Sequence, residues 1–112
     1  MYEQKDGYYR MAKKEGYKSR ASYKLIQLNK KFNIIKKGYS VLDLGAAPGG
    51  WVQIASKLVG EDGLVVGVDL KLVKEKYDNS YFIQGDVFEN STVEDIKGIK
   101  ETFDTIISDL AP

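Results

Sequence analysis

Four short apolar runs, separated by stretches of helical periodicity, organise the chain. Strands are predicted near 41–44, 64–69, 81–84 and 104–109, each rich in valine, isoleucine or aromatic residues and flanked by glycine, asparagine or aspartate. Helices are predicted at 51–59 and 92–100, the second with Ser91 and Glu94 as a capping box, and Gly60-Glu61-Asp62-Gly63 reads as a turn. Such alternation predicts an α/β fold with a parallel sheet and crossover helices. Ahead of it, Lys5 to about Glu15 reads as one helix, ended by Gly16, and about Arg20 to Lys31 as another, with Ser19 as N-cap. Ala21, Leu25, Leu28 and Phe32 recur at spacings of 4, 3 and 4, which predicts a buried stripe. Arg20, Lys24, Gln27 and Lys31 repeat that spacing beside it as a basic row.

Composition narrows the chemistry. The 112 residues suit one domain and contain neither cysteine nor histidine. Disulfides, thiolate or imidazole metal sites and Ser-His or Cys-His nucleophilic catalysis are therefore excluded, and no metal is expected. No apolar run reaches the length of a membrane span and the N-terminus has no signal-peptide core, so the expectation is a soluble, cytoplasmic protein. The net charge of +1 conceals an asymmetry: residues 1–39 hold 11 Lys/Arg against 3 Asp/Glu, and residues 40–112 hold 6 against 13. With Tyr8, Tyr9, Tyr17 and Tyr23 interleaved, the basic segment suits a nucleic acid; the plainer alternative is a solvated lysine-rich helix surface.

The richest local signal is Val41-Leu42-Asp43-Leu44-Gly45-Ala46-Ala47-Pro48-Gly49-Gly50-Trp51, a strand opening through glycines into a helix. Glycines let a ligand approach the backbone, and the free N–H groups of a new helix attract an anionic group. Asp69, 24 positions after Gly45, ends the next apolar run, where a carboxylate suits the two hydroxyls of a ribose. Asp86 and Asp109 end the following two runs, so the three acids are expected to converge on the carboxyl edge of the sheet. Together these features point to an adenosine-containing cofactor. Gly45, Ala47 and Gly50 also fit G-x-G-x-x-G with alanine in the middle, which leaves a nicotinamide oxidoreductase as an alternative, although no Tyr-Lys or His catalytic pair accompanies it.

Four words in order narrow this further: Ser19-Arg20-Ala21-Ser22-Tyr23-Lys24-Leu25, Asp43 to Trp51, Gly85-Asp86, and Ser108-Asp109-Leu110-Ala111-Pro112. They resemble the FtsJ family of S-adenosylmethionine-dependent ribosomal RNA ribose 2′-O-methyltransferases. The resemblance implies that Gly45, Ala46, Pro48, Gly49, Gly50 and Trp51 bind S-adenosylmethionine, with Gly49 and Trp51 at its methionine end. The other reading of Trp51 is a core aromatic at a helix start. Asp69, with Leu70 beside it, would take the cofactor ribose; Asp86 would meet the adenine amino group, with Val87 against the ring; Asp109 would lie near the sulfonium and the incoming ribose. Arg20, Lys24 and Lys31 would dock RNA. Of the family's catalytic Lys-Asp-Lys-Glu set, Lys24 matches the first lysine and Asp109 the aspartate. Lysine acts as a base only where burial or a neighbouring cation lowers its pKa well below ~10.4.

The family's second lysine and its glutamate would lie beyond Pro112. The resemblance therefore implies a basic helical RNA-docking segment over 1–39 and, over 40–112, the front half of a Rossmann-like methyltransferase sheet of strand order 3-2-1-4. Strand 104–109, with Ile106 and Ile107, would be an open edge that recruits a second copy or a complementing partner. Two functions are carried forward: methylation of a ribose 2′-hydroxyl in large-subunit ribosomal RNA or its particle, and a catalytically incomplete module that binds the cofactor, RNA or both.

Overall fold

The structure, a computed structural model, describes residues 20–108, with Arg20 and Ala21 described by their backbone alone. The helix expected over residues 5–15, the Ser19 cap and Asp109 lie outside the described residues. In chain order the elements are α1 (Arg20–Phe32), β1 (Ser40–Leu44), α2 (Gly50–Val59), β2 (Leu64–Asp69), β3 (Ser80–Gln84), α3 (Asn90–Ile99) and β4 (Thr105–Ser108). All strand pairs are parallel and the sheet order is β3-β2-β1-β4, as expected for half of a doubly wound sheet. Every crossover spans the sheet through a helix or loop, so all four strands end at the same edge. Leu44 pairs with Val68 on one side and Ser108 on the other, and Asp69 pairs with Gln84.

Alternation along the strands divides the core in two. One face places Val41, Val65 and Ile107 against Leu25, Ile35, Trp51, Val52, Ile54, Ala55 and Val59 under α1 and α2. The other places Leu42, Val66 and Val68 against Ile96 of α3. The first layer is the thicker one, and a side chain such as Leu25, fully buried there, contributes about 2 kcal/mol.

Two helical expectations need correction. The α1 stripe is centred on Ser22, Leu25, Ile26 and Asn29 rather than running to Phe32, which is exposed. The helix ends there because Asn33 adopts φ 51 and Asn29 ties the following bend, its amide donating to the Ile35 carbonyl (3.1 Å) and its side-chain oxygen accepting from the Ile35 N–H (2.7 Å). The α3 helix begins at Asn90 with Glu89 as N-cap and no side-chain capping bond, so Ser91 and Glu94 do not form a capping box. Asp86 starts the helix instead: its Oδ1 accepts from the Phe88 N–H (2.9 Å) and its carbonyl from the Glu89 N–H (3.0 Å).

Candidate functional site

The site is assembled where β1 and β2 end. Gly45, at φ 88, turns the chain out of β1, and its N–H and that of Ala46 both donate to the Val68 carbonyl, at 2.7 and 3.0 Å. The turn is thereby stitched to β2 before α2 begins. The next N–H, of Ala47, donates to Asp69 Oδ2 at 2.9 Å, and Asp69 Oδ1 accepts from the Lys71 N–H at 2.8 Å. A carboxylate oxygen has two lone-pair sites, so each retains one direction for a hydroxyl. The half-buried Asp69 carboxylate thus has a fixed orientation at the rim of the glycine turn.

Gly49 caps α2 at φ 114, a backbone state that favours glycine, and it provides no side-chain cap. Gly49 itself places no capping side chain on the first turn of α2, and the positive end of the helix dipole lies at this edge. Gly49, Gly50 and Ala46 are buried, while Pro48 is exposed at the tip of the turn. The Trp51 indole, 8% exposed, belongs to the core with Leu25 and Val41, so the residue presents its first-turn backbone rather than its ring to this edge.

The adjacent strand ends extend the rim. The Gly85 N–H donates to the Asp69 carbonyl (2.9 Å) and Gln84 Nε2 to the Leu70 carbonyl (3.1 Å), which binds the loop after β3 to the loop after β2. Asp86 follows at half burial, Val87 packs on the α3-side core, and Leu70 is exposed. From the other side, α1 reaches the turn through Ser22, whose buried hydroxyl donates to the Gly50 carbonyl at 3.3 Å. Lys24, two residues on, is exposed, as are Gln27 and Lys31 along the same row. The structure therefore brings together the glycine turn, Asp69, Leu70, Asp86 and the start of α1. Lys31 lies at the far end of α1, and Asp109 and the Arg20 side chain are outside the described residues.

One residue of this edge has no role that the sequence assigns. Asp43, 1% exposed, sits on the central strand between Gly67 and Ile107, directly before the turn. A carboxylate within a buried strand is the signal, because its burial is costly and selects for a special environment.

Comparison with known proteins gives the family. The profile of the FtsJ-like methyltransferase family matches residues 17–112. This chain belongs to the FtsJ-like methyltransferase family. It is 56% identical over 111 residues to the ribosomal RNA large subunit methyltransferase E of Methanothermobacter thermautotrophicus, covering 96% of this chain and 52% of that protein. With the enzyme of the same name from Methanocaldococcus jannaschii the identity is 49%, covering 96% and 46%. The FtsJ-like chain thus spans about half the length of these relatives. A crystal structure of a ribosomal RNA methyltransferase from Plasmodium falciparum superposes with a TM-score of 0.73 at 34% identity, over 86% of this chain and 57% of that one.

Proposed function

We propose that this chain forms the cofactor-binding part of an S-adenosylmethionine-dependent methyltransferase acting on a ribose 2′-hydroxyl of large-subunit ribosomal RNA, in the cytoplasm. The observation that carries the reading is the Ala47–Asp69 hydrogen bond, which joins the glycine turn and the ribose-type carboxylate into one rim. The rim fits the cofactor: a glycine-capped helix N-terminus for a carboxylate, a preoriented acid for a diol, and a second acid with flanking apolar groups for an aminopurine.

In this reading Gly45, Ala46, Pro48, Gly49, Gly50 and the backbone of Trp51 hold the methionine end. Asp69 takes the ribose diol, Asp86 the adenine amino group, and Leu70 and Val87 flank the ring. When bound, S-adenosylmethionine supplies an electrophilic methyl group on a sulfonium. The chain's part is to align the acceptor ribose, which falls to Lys24 and Asp109, the two members of the family's catalytic set that this chain carries. Arg20, Lys24 and Lys31 guide the RNA along α1. The open β4 edge, with Ile106 61% exposed, is the surface for a further strand from a second copy or a complementing segment.

Titration of the 112-residue chain with S-adenosylmethionine, followed through Trp51, its single tryptophan, tests the cofactor site directly. Saturable micromolar binding, weakened about tenfold or more by Asp69→Ala through loss of charge-assisted hydrogen bonds, is the expected result. Binding that ignores Asp69→Ala would remove the ribose from this position. Transfer of tritiated methyl to ribosomal RNA by the chain alone would rule out the binding-only reading.

A further inference from the structure

The two ends of α1 differ in what they meet. The first turn abuts the glycine turn through Ser22, whereas Phe32 at the other end lies roughly 15 Å of helical rise away. Beyond it the chain makes a fixed bend, held by the Asn29–Ile35 pair and by Thr105, whose hydroxyl donates to the Ile34 carbonyl at 2.6 Å. That bend displays Lys30, Lys31, Phe32, Lys36 and Lys37, all exposed. No acidic residue occurs between positions 20 and 42. Lys31 Nζ lies 5.3 Å from the centroid of the Phe32 ring, which is itself 60% exposed. Lys37 lays its methylenes over Gly60, 3.7 Å from where a Cβ there would stand. The acids of neighbouring elements are Glu61 and Asp62, in the turn after Gly60, and Asp104, whose Oδ2 already accepts from the Ser40 N–H and hydroxyl.

A helix C-terminus favours lysines through its dipole, which accounts for Lys30 and Lys31. It accounts for neither Lys36 and Lys37, which lie past the helix, nor an exposed phenyl ring set among cations. Cations interleaved with a flat apolar face match a partner that is itself a string of anions bearing flat rings. An acidic protein surface would satisfy the lysines and leave the ring without a counterpart.

We propose that this corner is a second anchoring point for single-stranded RNA, remote from the cofactor edge, in which Lys30, Lys31, Lys36 and Lys37 take phosphates and Phe32 stacks on a base. The proposal rests on the RNA reading above and extends it: α1 becomes a track, with the reacting ribose at its first turn and a gripping point at its last.

The test is fluorescence anisotropy of a labelled single-stranded RNA oligonucleotide of mixed sequence with the 112-residue chain, across a range of salt. Phe32→Ala is expected to weaken binding about tenfold with the salt slope unchanged, and Phe32→Trp to restore it. The double variant Lys36→Ala/Lys37→Ala is expected to lower the slope by about 1.4, at ~0.7 per single-strand phosphate contact. These side chains are exposed, so circular dichroism and S-adenosylmethionine binding serve as folding controls. Parental affinity in both variants, with Lys24→Ala still weakened, overturns the corner and leaves the RNA reading standing. A loss in the lysine variant without one in Phe32→Ala overturns base stacking in favour of plain charge attraction. If the parent chain binds no RNA, the underlying reading falls and the anchor with it.

Discussion

At the scale of single residues, Gly67 shows how tightly the site is built into the core. A Cβ there would stand 2.8 Å from the Ala46 Cβ, 3.0 Å from Val52 Cγ2 and 3.1 Å from Phe82 Cδ1. The glycine turn and α2 can press onto β2 only because this position carries no side chain. Gly67→Ala is therefore expected to cost about 1–3 kcal/mol in a urea melt and to weaken S-adenosylmethionine binding, since the displaced neighbour is part of the turn. Tyr77 gives a pH prediction. Burial first, and the negative charge of Glu75 second, raise its pKa above the usual 10.0. The unfolded chain then ionises before the folded one, so the stability contributed by the neutral phenol is present below pH 10 and lost as pH rises through the folded value. Tyr77→Phe is expected to flatten the fall of Tm in that alkaline window relative to the parent. The acids at strand ends are legible in the sequence because apolar runs announce where strands stop. The placement of the Trp51 ring is not, since a large aromatic at a helix start serves a core or a ligand equally well in sequence. Asp43 is marked in the sequence only as the one charged residue of a buried strand, and that mark says nothing of what its carboxylate does.

Among the elements, β2 matches its expected span, and β1 and β3 each begin one residue before theirs, because short apolar runs bounded by turn residues mark parallel strands clearly. Helix ends are less legible, since they depend on hydrogen bonds from neighbouring turns. Asp86 pulls the start of α3 forward, and Asn33, at positive φ, ends α1 at an exposed Phe32. Two predictions belong here. Gly98 lies in the last turn of α3 with nothing within 4 Å of where a Cβ would stand, so Gly98→Ala should raise stability by about 0.5–1 kcal/mol in a thermal melt. Asn29→Ala removes both bonds to Ile35 and leaves the bend's amide and carbonyl without them; a loss of about 1–2 kcal/mol is expected by chemical denaturation.

For the molecule as a whole, the decisive feature is that both outer strands of the described sheet are edges. β3 exposes Tyr81 beside half-buried Phe82 and Ile83, while β4 exposes Ile106, a β-branched aliphatic, at an edge that pairs, among the described residues, with β1 alone. Concentration-dependent association in analytical ultracentrifugation is the expected consequence. Ile106→Lys, which places on that edge the charge that natural edge strands carry, should suppress it; association undiminished by the change would locate the contact elsewhere. The clamp at the foot of β4 has a further consequence. Asp104 accepts from the Ser40 N–H at 2.8 Å, and its own N–H donates to the Ser40 carbonyl at 2.9 Å, joining positions 64 apart in the chain. A ribosome that has finished β3 has released one strand partner of β1 and still holds back the other. From then until Asp104 emerges, β1, an inner strand of the described sheet, is exposed as a margin. The order of synthesis thus makes a waiting period in which a chaperone, or a premature neighbour, meets the nascent chain at the place β4 will later occupy.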